Sequence, residues 1–438
     1  MMQFKQAFTA VLAMLFVLTA RAVSVSQFGA IGDGVTDDSA SIEKALNSDA
    51  NIEFENKTYL LKQQINIIRK HNKTIDFRKA IFVRADTELY GIRFADCSQL
   101  RITGGVFRCK TMPGGYAKSV NAHVLLFVRS IDISVSGVTI NGSGQMGICV
   151  MDCHRVVFRE NIIMNCFRDG IYSHFSSDIS YLDNHLSHIK DDALSFHDYG
   201  DPSRKNFVKK AGHKQSGRFI ARGNVIRNAY QGIASIGSEQ ITITDNIIDD
   251  TVNAGICVFN SDHYSTVIAD ANVRNVIIAD NIITNACKTT RIMKNDYRNG
   301  VDTCTARAAI CAQSQGRDML MPSATRRLAA ILIANNIVCD SGAGGILGHF
   351  VDTLHITGNI LLNCNANGKA STGNILEAIF CTDVQIRGNT VIDSRSVPRH
   401  ERAWSLRKSM GIVDGNQFRG VRLEEGTREE AAPFNWNP

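Results

Sequence analysis

Residues 223–250 read GNVIRNAYQGIASIGSEQITITDNIIDD. Asn-x-Ile-type segments at Asn224 and Asn246 flank a Gly-Ile pair at Gly232 and the alternating segment ITIT at 241–244. Apolar residues at alternate positions predict short β-strands. Gly and Asn between them accept the left-handed backbone angles that tight corners need. The stretch therefore predicts two or three strands of roughly five residues, joined by tight corners.

The same unit recurs along the chain with a period of about 23 residues. The Asn-containing segment occurs at Asn161, Asn184, Asn224, Asn246, Asn281, Asn336, Asn359 and Asn389, and a Gly-Ile pair precedes four of these at a constant distance, at Gly147, Gly170, Gly232 and Gly345. One unit cannot bury its apolar side alone, whereas stacked units place equivalent residues about 4.8 Å apart. The repeat predicts an all-β fold, a single-stranded right-handed parallel β-helix with inner Ile and Val ladders and an Asn ladder along one turn. The spacing typical of leucine-rich repeats is absent.

Composition and charge narrow the class of protein. The 438 residues are 44% hydrophobic and 21% charged, with 34 Gly and 6 Pro, which excludes a disordered chain, a collagen and a membrane bundle. The net charge of +6 includes no basic block, so no nucleic-acid partner is expected. Length alone would predict two or three domains. The repeat instead predicts one β-helix domain at 23–420, followed by a polar tail at 421–438.

Residues 1–22 have the pattern of a signal peptide. Lys5 precedes an apolar run at 7–19, and Ala20, Arg21 and Ala22 form a small-x-small cleavage site. We therefore expect a mature chain that begins at Val23, is secreted or periplasmic and has no membrane association after cleavage. A buried N-terminal helix is the alternative. All 12 Cys lie in the mature part, where an oxidising compartment permits disulfides whose pairing the sequence does not define.

Insertions interrupt the repeat at a common position. The distance from the Gly-Ile-type strand to the next Asn is the same after Gly147, Gly170, Gly232 and Gly345, but it is roughly doubled after Ala193, Gly255 and Ala309. A further excursion occupies 288–307. Loops that leave one edge of a sheet form the walls of a groove, where ligands bind. The alternative is that insertions are merely tolerated in surface loops.

Residues 24–46, SVSQFGAIGDGVTDDSASIEKAL, closely resemble the N-terminal segment of the pectate-lyase-like superfamily, which includes polygalacturonases, rhamnogalacturonases, related lyases and phage tailspikes. Within this segment, residues 39–46 are predicted to form an amphipathic helix capped by Asp37 or Asp38. Such a helix would cap the open end of the core, as a solenoid requires. Asp33 and these two aspartates are therefore expected to be structural.

The strongest candidate for chemistry is a cluster of aspartates. Asp169 (RDGIY) and Asp192 (KDDALSF) are separated by one period of the repeat, so they should stack on neighbouring strands, with Asp191 beside them. The strands resemble those that carry the catalytic aspartates of polygalacturonases. The resemblance implies that Asp191 or Asp192 is the general acid and that the other two aspartates activate a water for inverting attack. Alternatively, the three aspartates are polar corner residues that bind Ca²⁺.

Two positions depart from the polygalacturonase pattern. Gln231 stands where that family has His, and the strand expected to carry Arg-Ile-Lys, at 255–259, has neither base. Arg291 and Lys294 occur later, in the excursion at 288–307. Together with Gln231, they are predicted to bind substrate.

Other polar residues near the aspartates keep a second chemistry open. His174, His197, Lys190 and Arg168 are predicted substrate-binding residues, while Tyr199, Lys209, Lys210 and His213 lie on or beside the first insertion. A lyase would need such a base, plus a cation or Ca²⁺ to neutralise a uronate. The preferred prediction is an enzyme that hydrolyses an acidic, pectin-like polysaccharide and needs no cofactor. The alternatives are a polysaccharide lyase with Ca²⁺ and a non-catalytic carbohydrate-binding surface protein. No oligomeric state is predicted.

Overall fold

The computed structural model describes residues 22–89, 91–199, 215–260, 273–287, 308–314, 327–366, 374–397 and 402–421. Almost all of the regular structure in these residues is β. A 3₁₀ turn at Val25–Phe28 and one α-helix, α1 at Ser39–Asn47, precede the main run of strands. The strands begin at Val23 and end at Arg419.

The first half of the described chain contains the strands β1 Val23–Ser24, β2 Asp33–Asp37, β3 Ile52–Glu53, β4 Thr58–Leu61, β5 Ile65–Ile68, β6 His71–Arg84, β7 Ile92–Ala95, β8 Ser98–Cys109, β9 Leu125–Val128, β10 Ile131–Ser136, β11 Thr139–Ser143, β12 Ile148–Met151, β13 His154–Arg159, β14 Ile162–Cys166, β15 Ile171–His174, β16 Ser177–Leu182 and β17 His185–His197.

The second half contains the strands β18 Gly217–Arg222, β19 Val225–Ile236, β20 Glu239–Thr244, β21 Ile247–Thr251, β22 Ile256–Phe259, β23 Arg274–Ala279, β24 Ile282–Thr284, β25 Ala308–Gln313, β26 Leu328–Ala334, β27 Ile337–Cys339, β28 Gly344–His349, β29 Val351–Thr357, β30 Ile360–Leu362, β31 Asn374–Ile379, β32 Thr382–Arg387, β33 Thr390–Ile392, β34 Arg402–Arg407, β35 Gly411–Asp414 and β36 Gln417–Arg419.

Each coil contributes one strand to each of three parallel sheets. In the coil at 131–151, β10 belongs to the first sheet, β11 to the second and β12 to the third. The third sheet aligns Ile148 with Ile171 and Ile171 with Leu194, one period of the repeat apart in each case. The predicted period is therefore the length of one coil. Twelve strands stack in the third sheet of the described chain, from β5 to β34.

Apolar ladders fill the core, as the alternation predicts. In the second sheet, Ile140, Ile163 and Leu186 are stacked in register and almost fully buried. Aromatic rings extend the stacking, with Tyr181 and Phe196 lying 4.6 Å apart and nearly parallel. This continuous core is the main source of stability, because no single coil has an interior of its own.

An asparagine ladder runs along the turn between the first and second sheets. It contains the eight predicted residues and a ninth, Asn416. Each Nδ2 donates to the Oδ1 of the asparagine on the next coil over 2.9–3.0 Å. The same Oδ1 accepts a backbone N–H, as from Asn224 to Asn246. The predicted ladder is confirmed, and it satisfies buried backbone donors that the corner would otherwise leave unpaired.

The corners use more residue types than Gly and Asn. One column of left-handed positions in the first sheet contains Asp132, Arg155, Asp178 and Arg218, with φ between 54° and 61°. Within this column Arg155 binds Asp132 and Arg218 binds Asp178 through two hydrogen bonds each. Arginine and aspartate have a Cβ, which makes the left-handed conformation unfavourable for them. In this column the unfavourable conformation therefore occurs at residues that also form charged hydrogen bonds.

The N-terminal helix covers one end of the core, which confirms the predicted capping helix. Its own residues Ile42, Ala45 and Leu46 are fully buried against the core. Asp37 Oδ1 accepts the N–H of Ser39, and Asp38 instead binds the N–H groups of Ile31 and Gly32. Both aspartates thus hold the backbone in place, as expected of structural residues.

The third sheet is buried on both faces, unlike the first and second. Ile171 and Phe196 belong to the main core, and alternate residues such as Tyr172 and His197 lie on the outer face but are also buried. The insertions predicted after Ala193, Gly255 and Ala309 each follow a third-sheet strand, and the excursion predicted at 288–307 precedes one. These insertions themselves lie outside the described residues, as do the predicted signal peptide, except for Ala22, and the tail after Val421.

The described cysteines form no disulfide with one another, and nearly all of them are buried. Cys257 and Cys311 stack in register on neighbouring strands of the third sheet. Burial raises the pKa of Cys257 well above its usual value, so its thiol stays protonated. Among the described residues, no helix is long and apolar enough to cross a membrane.

Candidate active site

The predicted aspartates lie at the corner between the second and third sheets. Asp169, Asp192 and Gln231 occupy equivalent positions on three successive coils, because Ile171, Leu194 and Ile233 two residues later are in register. The strand β17 carries an irregularity between Ile189 and Asp192, which accommodates the additional residue Asp191. The stacking inferred from the spacing of Asp169 and Asp192 is present.

Asp169, Asp192 and His197 converge on one point. Each contributes an oxygen or nitrogen that lies within 4.8 Å of the other two, and all three side chains are buried. Ser195 Oγ donates to Asp169 Oδ2 over 2.5 Å. Ser195 and His197 are alternate residues of β17, so the cluster sits at the edge of the outer face of the third sheet.

Asp192 is held from two sides. Gln231 Nε2 donates to Oδ1 over 2.7 Å, and His197 Nε2 lies 3.2 Å from Oδ2. Gln231 is fixed in turn, since its Oε1 accepts from Asn253 Nδ2 at 3.1 Å and from the Cys257 thiol at 3.0 Å. Gln231, which stands where the polygalacturonase pattern has histidine, therefore donates a hydrogen bond to Asp192 but cannot carry a charge.

Asp191 has a different environment. Its Oδ2 lies 3.3 Å from Nε of Arg168 on the preceding coil. Its side chain remains 13% exposed, more than that of Asp192 at 7%. Of the three aspartates, Asp191 thus has the most exposed side chain.

The electrostatics of the cluster favour a retained proton. Burial, together with the charges of Asp191 and Asp192, raises the pKa of Asp169 from 3.8 to about 7. Burial lowers the pKa of His197, so the imidazole is neutral when the cluster holds that proton. A carboxyl group that titrates near neutrality beside a neutral imidazole is typical of a catalytic centre.

Aromatic rings adjoin the aspartates. His174 lies on the outer face of the third sheet, and its Nδ1 is 3.0 Å from the hydroxyl of Tyr172. The ring of Tyr199 lies 5.0 Å from His174 and 5.5 Å from His197. Tyr199 is the partly exposed member of this group, which we call the aromatic patch: Tyr172, His174, His197 and Tyr199.

The structure brings together only some of the predicted substrate-binding residues. Gln231, His197 and Arg168 contact the aspartates, and His174 lies in the aromatic patch. Lys190 is exposed and makes no hydrogen bond or ion pair with any described residue. Arg291 and Lys294 lie outside the described residues, as do Lys209, Lys210 and His213.

Two residues that shape the cluster were not among the predicted ones. Ser195 binds Asp169, and Asn253 orients Gln231. The period of the repeat places Ser195 beside Tyr172 and Asn253 beside Tyr230 on the neighbouring coil. Polar residues are common at such positions, however, so the sequence alone did not single out these two as part of a site.

The same cluster has the donor atoms for a divalent cation. Two carboxylates and an imidazole are a ligand set that several transition metals accept. However, Asp192 already binds Gln231, and Asp169 already binds Ser195. Asp169, Asp192 and His197 are therefore the described residues that would hold a metal. One oxygen of each aspartate already accepts a hydrogen bond from the protein, which leaves fewer lone pairs for the ion.

Comparison with known proteins agrees with this architecture. A family model described as a right handed beta helix region matches residues 66–272. The chain is a right-handed parallel β-helix. No curated protein matches it significantly by sequence. The matches are consistent with the pectate-lyase-like superfamily that residues 24–46 resemble.

Solved structures with the same fold include enzymes and an adhesin. The Family 28 exopolygalacturonase of Yersinia enterocolitica is 16% identical, with a TM-score of 0.63 over 91% of this chain and 79% of that one. The GH87 α-1,3-glucanase of Streptomyces thermodiastaticus is 15% identical, with a TM-score of 0.59 over 92% and 69% of the two chains. PfbA, a surface adhesin of Streptococcus pneumoniae, is 16% identical, with a TM-score of 0.55 over 91% and 90%. At these identities the likeness establishes the fold alone.

Proposed function

We propose that the protein is an exported enzyme that hydrolyses glycosidic bonds of a polysaccharide, with Asp169, Asp191 and Asp192 as its catalytic groups. The convergence of Asp169, Asp192 and His197 within 4.8 Å, with Asp191 beside them, carries this proposal. Similar β-helices include an exopolygalacturonase and an α-1,3-glucanase, so the fold supports such chemistry.

Asp169 and Asp192 are suited to hold the attacking water. Two oxygens no more than 4.8 Å apart can both accept hydrogen bonds from one water at about 2.8 Å from each. Asp169, with its pKa raised to about 7, is a base matched to neutral pH. Gln231 and His197 keep the Asp192 carboxylate oriented toward that water.

Asp191 is then the proton donor to the leaving oxygen. It is the most accessible of the three carboxyl groups, and the resemblance to polygalacturonases also allows this assignment. The separation of Asp169 and Asp192 is shorter than the roughly 6.5–9.5 Å between acid and base in inverting glycosidases. We therefore assign Asp169 and Asp192 together to one water and Asp191 to the leaving oxygen.

The aromatic patch provides a surface for the sugar. Ligand sites are mainly apolar and aromatic, with a few polar groups that fix orientation. Tyr199 is partly exposed beside His174 and His197, so it can pack against a sugar ring while the histidines bind its hydroxyls. The hydrolytic reaction uses no cofactor. A lyase would in addition need Ca²⁺ or a cationic residue at the uronate. Of the cationic residues predicted near the aspartates, Arg168 is paired with Asp191 and Lys190 is exposed.

A non-catalytic, glycan-binding role is the second candidate, because Asp169 and Asp192 are buried and accept hydrogen bonds from Ser195 and Gln231. The similar fold of the adhesin PfbA makes this role worth testing.

The test incubates the mature protein with acidic and neutral glycans, with Ca²⁺ or with a chelator. New reducing ends without unsaturated uronates, unchanged by the chelator, support hydrolysis. Unsaturated uronates that require Ca²⁺ indicate a lyase. Binding without either product supports the non-catalytic role.

A further inference from the structure

Arg84 is a buried cation without a counter-ion among the described residues. It ends strand β6 and is 2% exposed. Its Nη2 donates to the carbonyl of Leu89 over 3.0 Å, but Nε and Nη1 have no partner in the described part of the chain. Unpaired buried charges are rare, since removing a cation from water costs several kcal/mol.

His123 is a second unsatisfied polar group close by. It is 1% exposed, and neither ring nitrogen has a partner within the described ranges. Gly91 links the two residues: its N–H donates to the carbonyl of His123 over 3.0 Å, and the position of its missing Cβ lies 3.6 Å from Cδ of Arg84. Burial and the charges of Arg168 and Arg84 lower the pKa of His123 to about 3, so its ring is neutral and can donate one N–H.

These two residues lie in the line of the catalytic corner. His123 precedes Val124, which is equivalent to Gly147 and Gly170, so His123 occupies the same column as Asp169, two coils away. At about 4.8 Å per coil, this is about 10 Å along the axis. The segment 110–123 lies over this part of the corner. A hydrogen bond from Gln145 Nε2 to the carbonyl of Ala117 holds the segment in place.

The nearby carboxylates do not neutralise Arg84. Asp86 is exposed and forms no ion pair with it, and Glu88 accepts the backbone N–H groups of Lys118 and Ser119. Asp191 pairs with Arg168 instead. The donors of Arg84 and His123 therefore lie close together without a counter-charge among the described residues, and an anion from outside the chain would neutralise them.

We propose that Arg84 and His123 form a subsite for an anionic substituent, a carboxylate or a sulfate, on a sugar bound beside the one that is cleaved. This inference rests on the proposed function, because it assumes that the glycan lies along the corner that contains Asp169. Arg84 would bind the anion through Nε and Nη1, and His123 through a ring N–H. The subsite would give the enzyme its preference for acidic glycans over neutral ones.

The test measures the affinity of oligogalacturonides, sulfated oligosaccharides and neutral oligosaccharides by calorimetry. Arg84→Met removes the charge but keeps an unbranched chain, and Arg84→Lys keeps the charge. Arg101→Met removes an exposed arginine of the first sheet and serves as the control. We expect Arg84→Met to weaken binding of the preferred acidic glycan by about 10- to 100-fold. Its binding of neutral glycans, and its thermal midpoint, should not fall.

Arg84→Lys should recover part of the lost affinity, and His123→Gln should weaken acidic glycans several-fold. The glycan that responds, uronate or sulfate, identifies the anion. Equal losses for acidic and neutral glycans, or a lower thermal midpoint with unchanged affinity, would overturn the subsite even if hydrolysis is observed. If no glycan is cleaved but galacturonate or sulfate stabilises the wild type and not Arg84→Met, the subsite stands and the proposed hydrolysis fails.

Discussion

Gln231 donates a hydrogen bond from Nε2 to Oδ1 of Asp192 on the preceding coil, over 2.7 Å. A histidine at this position could change its charge with pH, whereas glutamine cannot. Burial lowers the pKa of His197 and, together with the neighbouring carboxylates, raises that of Asp169 to about 7, so the Asp169 carboxyl group changes its charge near neutral pH. This arrangement makes the pH dependence of the cluster simple to predict.

Replacing any one of the three aspartates by asparagine should reduce kcat by about 10²- to 10⁴-fold, the contribution typical of general acid–base groups. Asp178→Asn removes a partly exposed carboxylate that pairs with Arg218 on the first sheet, and it should leave kcat unchanged. Initial rates on the best glycan of the panel measure the effect. Retention of most activity by Asp191→Asn or Asp192→Asn would contradict the assignment.

Activity should decline as the pH falls through about 7. Asp169 must be ionised to accept a proton from water, and burial with its neighbouring carboxylates raises its pKa to about 7. The acidic limb of the kcat/KM profile should therefore have a midpoint near neutrality. A midpoint near the ordinary aspartate pKa would mean that Asp169 does not act as the base.

Asp169→Asn should stabilise the protein above pH 7. The unfolded chain loses this proton near pH 3.8 and the folded chain near 7, so between these values the folded state binds more protons and becomes less stable as the pH rises. Asparagine removes that loss, which is on the order of 2–4 kcal/mol when complete. The gain should be visible in denaturant unfolding at pH 8 and absent at pH 4. A variant that is less stable at pH 8 would contradict the raised pKa.

The parts of this fold that repeat were predictable, and the parts that depend on departures from the repeat were not. The period placed Asp169 beside Asp192, because every complete coil advances the chain by one strand position in each sheet. It could not place Arg84 near His123, since residues 85–89 and 110–123 do not follow the repeat. Lys190 illustrates the opposite error: it adjoins the aspartates in sequence but points to solvent.

Asn246→Ala should destabilise the fold by about 3 kcal/mol, because it leaves two buried donors of Asn224 unpaired. Asn416→Ala removes the equivalent acceptor at the partly buried end of the ladder, where water can replace it, so its effect should be clearly smaller. Urea denaturation of both variants gives the comparison. If both variants lost the same free energy of unfolding, the buried hydrogen bonds of the ladder would contribute no more to stability than the partly exposed ones.

The decisive measurement for the hydrolytic assignment compares the products from acidic and neutral glycans in parallel, for the wild type and for Asp191→Asn. Reducing ends are quantified, and absorbance reports unsaturated uronates. Hydrolysis predicts that the wild type generates reducing ends without unsaturation, unaffected by a chelator, and that Asp191→Asn generates almost none. Unsaturated products, or the same activity in Asp191→Asn, would contradict it.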